Sequence, residues 1–329
     1  MKPAPLSSSV PFSCWLAFAW LSLVGTVGLL APWLPLPYPA ATPDLLHVAT
    51  PPAWVGPAHY LGTDALGRDV LAGLVAGARR LLVLSLPAVG LATLLGALAG
   101  ATAGFWGNRL RVPLAAATGV LAMAWWALSL PSSFIIILLL VITLALVIFG
   151  RRRVAAWQPA YLLALPLDGL VLGTTTLLGA VPRLILLVAL AAGTPLTPVQ
   201  LLGVLVLIAW PEPARLVRAQ MLRVRAQPFI EAARASGLPE GRIWWHHALP
   251  HACRPLWAFA PLSLAGLIGL ESALAFLGIG QAPDAVSWGS MLSSVRQAPS
   301  AWWLAVVPGL ALLLTLISLQ QIARFFTKK

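Results

Sequence analysis

Leu, Ala, Val and Ile fill long stretches of this chain, and polar residues are confined to the gaps between them. Apolar runs fall at 13–34, 81–105, 112–130, 133–150, 169–192, 198–211, 256–280 and 302–323. Several reach or approach the roughly 20 residues that a helix needs to cross about 30 Å of hydrocarbon. The pattern predicts an all-α fold, a polytopic membrane helical bundle. No small-residue cleavage site follows the first run and further spans come after it, so it reads as a transmembrane helix rather than a signal peptide.

Composition strengthens this picture. Charged residues make up 9% of the 329 positions and hydrophobic ones 60%, with a mean hydropathy of +0.90. That is too little charge to cover a water-exposed surface of this size. A formal net charge of +12 invites a nucleic-acid reading, but the Arg and Lys residues are not massed on an amphipathic helix or a basic tail. They cluster between apolar runs, which is how short cytoplasmic loops are marked. Trp33, Trp106, Trp210, Trp288, Trp302 and Trp303 stand near run ends, as interfacial aromatics do. Cys14 and Cys253 both fall on the expected cytoplasmic side, where no disulfide is expected.

The loop 212–254 holds Arg215, Arg218, Arg223, Arg225, Arg234, Arg242 and Arg254 and is the firmest cytoplasmic assignment. Counting from it, 256–280 and 302–323 leave and return, and both termini lie in the cytoplasm. The run 169–192 crosses outward to a short turn at "GTPLTP". Arg109 and Arg111 precede the run 112–150 and Arg151, Arg152 and Arg153 follow it, so an even number of crossings is expected there. "LPSS" supplies an outer turn for a two-helix hairpin, and a re-entrant segment is the alternative. The stretch 35–59, rich in Pro and Ala, reads as an external irregular loop.

One part of loop 212–254 is unlike the rest of the chain. In "QPFIEAARASGLPEGRIWWHHALPHACRPL", the segment "PFIEAARAS" predicts a short helix that ends at Gly237. A second helix is expected to start near Pro239 and to stop at Pro250. Ala232 and Ala233 leave a smooth surface that another protein can approach closely. A solvated linker is the simpler reading, but a Gly elbow, paired Ala and apolar Ile243, Trp244 and Trp245 are unusual in a linker.

"EAARASGLPEGRIWWHHALP" resembles the EAA loop of ATP-binding-cassette importer permeases, with Glu231, Ala232, Ala233, Gly237, Leu249 and Pro250 at the family spacing. His247 stands at a position that is usually hydrophobic, as it does in dipeptide-type members. "GLLAPWLP", "HYLGTDALGRDVLAGLVAGARRLL", "ARLVRAQML" and "LESALAFLGIGQAPDAVSWGSML" resemble, in order, the second permease subunit of dipeptide, oligopeptide and nickel importers. The resemblance implies six family-type transmembrane helices, with 111–167 an inserted hairpin, since the usual member has no counterpart to it. The C-terminal "SLQQIARFFTKK" departs from the family's acidic, glycine-containing tail. It divides the chain into 1–80, an N-terminal helix and external loop, and 81–326, the permease domain with 212–254 as its coupling loop.

By the same resemblance, the EAA helix docks into a groove on a cytoplasmic ATPase. The chain has no G-x-x-x-x-G-K-[ST] phosphate loop, so ATP hydrolysis falls to a partner. The implied partners are a second related permease subunit, two ATPase subunits, an external solute-binding protein and membrane lipid, with no nucleic acid, in a bacterial inner membrane. No catalytic, cofactor or metal residue is expected.

Other residues carry two readings. Asp64, Arg68 and Asp69 in "GTDALGRD" suit a gate or a binding-protein contact, but turn chemistry also explains them and is preferred. Glu271, set in an apolar run, either lines the translocation path or pairs as a packing element. Arg183, after Pro182, reads as a snorkelling side chain at a kink. His247 and His251 have metal-ligand spacing, but an interrupting Pro250 and the absence of a completing ligand argue against a site. The sequence thus predicts half of a peptide translocation path, with nickel or another small solute as the near alternative. A proton-coupled carrier would be expected to show ionisable residues in several spans, where this chain has Glu271 nearly alone; an intramembrane protease would need nucleophile and base motifs that are not found.

Overall fold

Helix ends in this chain are written in short polar signals. Asp69 caps the helix α2 (Val70–Arg80) by accepting a hydrogen bond from Ala72 N at 2.7 Å. Thr197 and Gln200 form a reciprocal capping box at the start of α6 (Pro198–Ala209), where Pro198 takes the first turn and forfeits no hydrogen bond. Ser287 and Ser290 repeat the device at α12 (Trp288–Ser293). Between such signals the apolar runs are helical, because a helix satisfies its own backbone polar groups where lipid cannot.

In the computed structural model of the chain the described residues are 11–52, 59–108, 110–113, 162–191, 196–280 and 285–327, with only the backbone considered at 110–113 and 162–165. The remaining elements are α1 (Phe12–Leu30), α3 (Leu86–Trp106), β1 (Leu110–Pro113), β2 (Leu162–Leu165), α4 (Leu167–Ala180), α5 (Arg183–Ala191), α7 (Pro211–Val224), α8 (Pro228–Ala235), α9 (Glu240–Arg242), α10 (Leu249–Ala252), α11 (Leu256–Leu277) and α13 (Trp303–Thr327). Among the described residues five helical runs are long and apolar enough to cross a membrane: Phe12–Leu30, Val70–Trp106, Pro198–Val224, Leu256–Leu277 and Trp303–Thr327. The chain is a multi-pass, all-α membrane protein.

Two expectations need correction. The run 169–192 is not one helix: α4 and α5 meet at an 83° bend. Pro182 disfavours helical backbone at the residue before it, and Val181 is extended, with φ −100° and ψ 131°. The run expected from 112 begins instead in a two-stranded antiparallel ladder, in which Leu110 pairs with Leu165 and Pro113 with Leu162. This ladder joins backbone on either side of 114–161. The proposed hairpin itself lies outside the described residues.

The chain separates into two units, 1–86 with 260–329, and 87–259. In the first, α1 packs against α2 and α13, and Trp20 Nε1 donates to Thr315 Oγ1 at 3.0 Å. Trp288 lies across Gly77, where a Cβ would come within 2.2 Å of its ring, and donates to Leu74 O at 3.0 Å. In the second unit, α3 and α7 touch backbone to backbone. A Cβ at Gly96, Gly100 or Gly104 would fall 2.6 Å from Trp210 O, 2.1 Å from Ala214 O and 2.9 Å from Arg218 O. This spacing of small residues is what lets two helices meet so closely. Asp168 of α4 receives Arg218 of α7 in a two-pronged pair, at 2.5 and 2.7 Å.

Candidate functional site

The island begins at α8, whose eight residues expose Glu231, Ala232, Arg234 and Ala235 and bury Ile230. It ends at Gly237. Leu238 N donates to Ala233 O and Gly237 N to Arg234 O at 3.3 and 2.9 Å, the two bonds of a left-handed helix cap. Gly237 has φ +75° with open space around a would-be Cβ, so a side chain here would be opposed by backbone strain and not by crowding.

Beyond the elbow the helical path runs from Glu240 through a π turn, Ile243–Ala248, to Ala252. Pro250 therefore does not stop the second helix, contrary to expectation. Proline has no N–H to give and its ring crowds the carbonyl four residues back. The wide turn just before it, in which Leu249 N reaches Trp244 O, makes room for that ring. His247 and His251 thus share one continuous path, and His251 Nδ1 donates to His247 O at 2.7 Å.

The island is fixed from below. Ile230, Ile243, Trp244, Ala248 and Ala252 are buried in one cluster with Ala97, Ala101 and Phe105 of α3 and Val217 and Met221 of α7. Trp244 Nε1 donates to Ala101 O at 3.4 Å, and its ring lies 5.3 Å from that of Trp106. Ala233 and Leu249 pack on the rim of this cluster. Arg234 clamps Glu240 across the elbow at 2.8 and 3.3 Å, and this partner holds the guanidinium above its ordinary pKa. Burial pushes the Cys253 thiol up as well. The outward residues include Glu231, Ala232, Arg234, Glu240, Arg242 and Pro250, with two large rings, Phe229 and Trp245. The result is a rigid ledge with an apolar underside and a mixed top.

The other sequence candidates are placed differently. Asp64 accepts from Leu66 N and Arg68 N, both at 2.8 Å, within a turn closed by Gly67 N to Asp64 O. Asp69 is buried, serving Ala72 N with one oxygen while the other lies 2.8 Å from His59 Nδ1. Asp64, Arg68 and Asp69 line a cavity of about 200 Å³ with Ser290, Ser294 and Gln297. Glu271, 5% exposed, accepts from Arg80 Nε at 2.6 Å. Arg183 pairs with Glu212 instead of standing alone at its kink.

One cluster escaped the sequence reading. Asp44, His47 and His59 bring potential ligand atoms within 4.8 Å of one another. Its only sequence signal is an Asp-x-x-His pair with a second His twelve residues on, and the turn at Gly67 brings them together. Asp44 N donates to Gly67 O at 2.9 Å, and a Cβ on Gly67 would lie 2.2 Å from Asp44 O.

Comparison with known proteins places the ledge in context. Residues 154–329, more than half of the chain and including the whole island, match the model of a family described as binding-protein-dependent transport system inner membrane component. The chain is 29% identical over 304 residues to the di/tripeptide transport system permease protein of Pseudomonas aeruginosa, covering 91% of this chain and 81% of that one. It is 28% identical over 287 residues to the oligopeptide transport system permease protein of Haemophilus influenzae, covering 87% and 73%. A Brucella suis chain with a peptide-permease name is 28% identical over 293 residues, covering 87% and 76%.

Proposed function

The chain belongs to the family of binding-protein-dependent transport inner membrane components, as a permease subunit of an ATP-binding-cassette importer, and from that premise we propose that its cargo is peptides and that the ledge 228–252 receives the movement of a partner ATPase. The observation that carries the coupling role is the division of the island into two faces. Trp244 and Ile243 are sunk into α3 and α7 while Glu231, Ala232, Phe229 and Trp245 stay outward. A linker has no reason to anchor one face so firmly and leave aromatic rings on the other.

The peptide cargo is supported by the names of the relatives, which cover most of this chain. In this reading the chain supplies half of the translocation path and no covalent chemistry. A second related permease supplies the other half, two ATPase subunits hydrolyse ATP, and a solute-binding protein delivers cargo on the outer side. The membrane is a bacterial inner membrane with both termini and the ledge in the cytoplasm. Glu271, held by Arg80, acts as a packing pair rather than as a free charge in the path. Asp64 and Asp69 build a turn and a cap.

Gly237→Val tests the proposal in a reconstituted complex with partners and binding protein. Forcing a β-branched residue to φ +75° costs about 1–2 kcal/mol, which moves the ledge or weakens its docking by roughly tenfold. The expected result is normal insertion with ATP-driven peptide uptake reduced about tenfold. Uptake at the unmodified rate would overturn the coupling role, and uptake of another solute class with no peptide uptake would overturn the cargo.

A further inference from the structure

The cluster Asp44, His47 and His59 lies in the segment before α2 and plays no part in the permease reading. His59 is 3% exposed, and the Tyr38 ring lies against it at 4.0 Å. Its Nδ1 faces Asp69 Oδ1 at 2.8 Å. A carboxylate in that position fixes the Nδ1 proton and leaves Nε2 as a bare donor of electrons, the arrangement by which carboxylates orient metal-binding imidazoles.

That Nε2 atom is buried and makes no hydrogen bond among the described residues. It points at Asp44 Oδ2, 3.5 Å away. A buried nitrogen lone pair facing a carboxylate oxygen is unfavourable unless something positive lies between them. The gap fits an ion: ligands on a tetrahedral centre with bonds of about 2.1 Å are about 3.4 Å apart. His47 Nδ1 lies 2.8 Å from the same Asp44 oxygen, a hydrogen-bond distance, and supplies a third donor once the ion displaces the shared proton and the pair opens to ligand spacing. Leu46 N donates to the other Asp44 oxygen, Oδ1, at 3.0 Å, which leaves Oδ2 for the ion. His47 is half exposed, which leaves a fourth position open to water.

We propose that Asp44, His47 and His59 bind one divalent transition-metal ion of the zinc class, with Asp69 orienting His59. Two imidazoles and a carboxylate around an open position are a borderline-soft set, suited to such an ion and poorly suited to Ca²⁺ or Mg²⁺. The ion would staple residues 44–47 to the turn that leads into α2, a fastening that a chelator can undo. A proton on Nε2 is the competing occupant of the gap.

The test uses the full-length chain in detergent, purified without a polyhistidine tag, with Co²⁺ as the spectroscopic probe. Of the five His, the other three are His246, His247 and His251, so a parallel protein carries Ala at those three positions. The expected result in both is one equivalent of Co²⁺ with the intense visible absorption of a tetrahedral site, displaced by Zn²⁺. Asp44→Asn keeps an oxygen for Leu46 N, and His47→Ala changes an exposed side chain, so both variants retain the fold. Each is expected to weaken binding more than tenfold, and Zn²⁺ should raise the unfolding temperature of the parent but not of either variant. Absence of stoichiometric Co²⁺ binding in the protein lacking the three other histidines would overturn the proposal and leave the proton as occupant. Unchanged binding in Asp44→Asn and His47→Ala would overturn it equally.

Discussion

The segment 35–69 and the island 227–254 are both polar interruptions in an oily chain, and they use their polar residues in opposite ways. In the first, the buried polar side chains among the described residues are His59, Thr63 and Asp69, and the polar groups serve the turns of the backbone. Thr63 is fully buried, donates to His47 O and accepts from Thr50 N, while Asp64 and Asp69 answer backbone amides. In the second, the apolar residues are sunk and the polar ones stand out: Trp244 and Ile243 are buried while Glu231, Glu240 and Arg242 are exposed. A polar residue near a membrane span is therefore not in itself a sign of a partner. It becomes one when the backbone has no use for it.

This contrast predicts opposite consequences for substitution. The largest loss of stability is expected inside the island, at its anchor. Trp244→Ala removes a buried ring and should cost about 3–5 kcal/mol, as large-to-small core changes do, read as a lower unfolding temperature of the purified chain. An unchanged unfolding temperature would mean that the island is not fixed to α3 and α7. Asp69→Ala should come next, at about 2–3 kcal/mol. It removes a helix cap worth about 1 kcal/mol and leaves Ala72 N and His59 Nδ1 in a buried place with one partner fewer.

Glu231→Ala sharpens the comparison because it should be nearly silent in the same measurement, within about 0.5 kcal/mol as exposed substitutions usually are. ATP-driven uptake by the complex should nevertheless fall severalfold. If Glu231→Ala destabilised the chain more than Asp69→Ala, the two regions would not differ in the way argued above. If it left uptake intact, the outward face would lose its functional meaning.

The spans were legible in the sequence because a membrane helix is dictated by a local run of apolar residues, and Phe12–Leu30, Leu256–Leu277 and Trp303–Thr327 fall close to where the runs are. The elbow at Gly237 was legible for a similar reason, since the need for φ > 0 is a property of one residue. What the sequence concealed depends on geometry between residues. Pro250 reads as a helix stop, but a π turn just before it absorbs its ring. Pro182 reads as a kink in one helix and is instead the site of an 83° bend. The ladder between 110–113 and 162–165 pairs residues about fifty positions apart, and the Arg80–Glu271 pair spans far more. No local pattern encodes either. Asp44, His47 and His59 escaped for the same reason, because their meeting depends on Gly67 letting one turn close against another.

The contact of α3 with α7 at Gly96, Gly100 and Gly104 has a mechanical consequence. Most packed helices are separated by a layer of side chains that can slip or change rotamer, and this layer acts as a bearing between them. Here backbone rests on backbone with less than a methyl group of clearance, so the bearing is missing and the pair behaves as one stiff beam. Trp244 is bonded to that beam at Ala101, between the second and third of the three glycines. Any displacement of the ledge at Trp244 is therefore shared by both helices, with no slack between them.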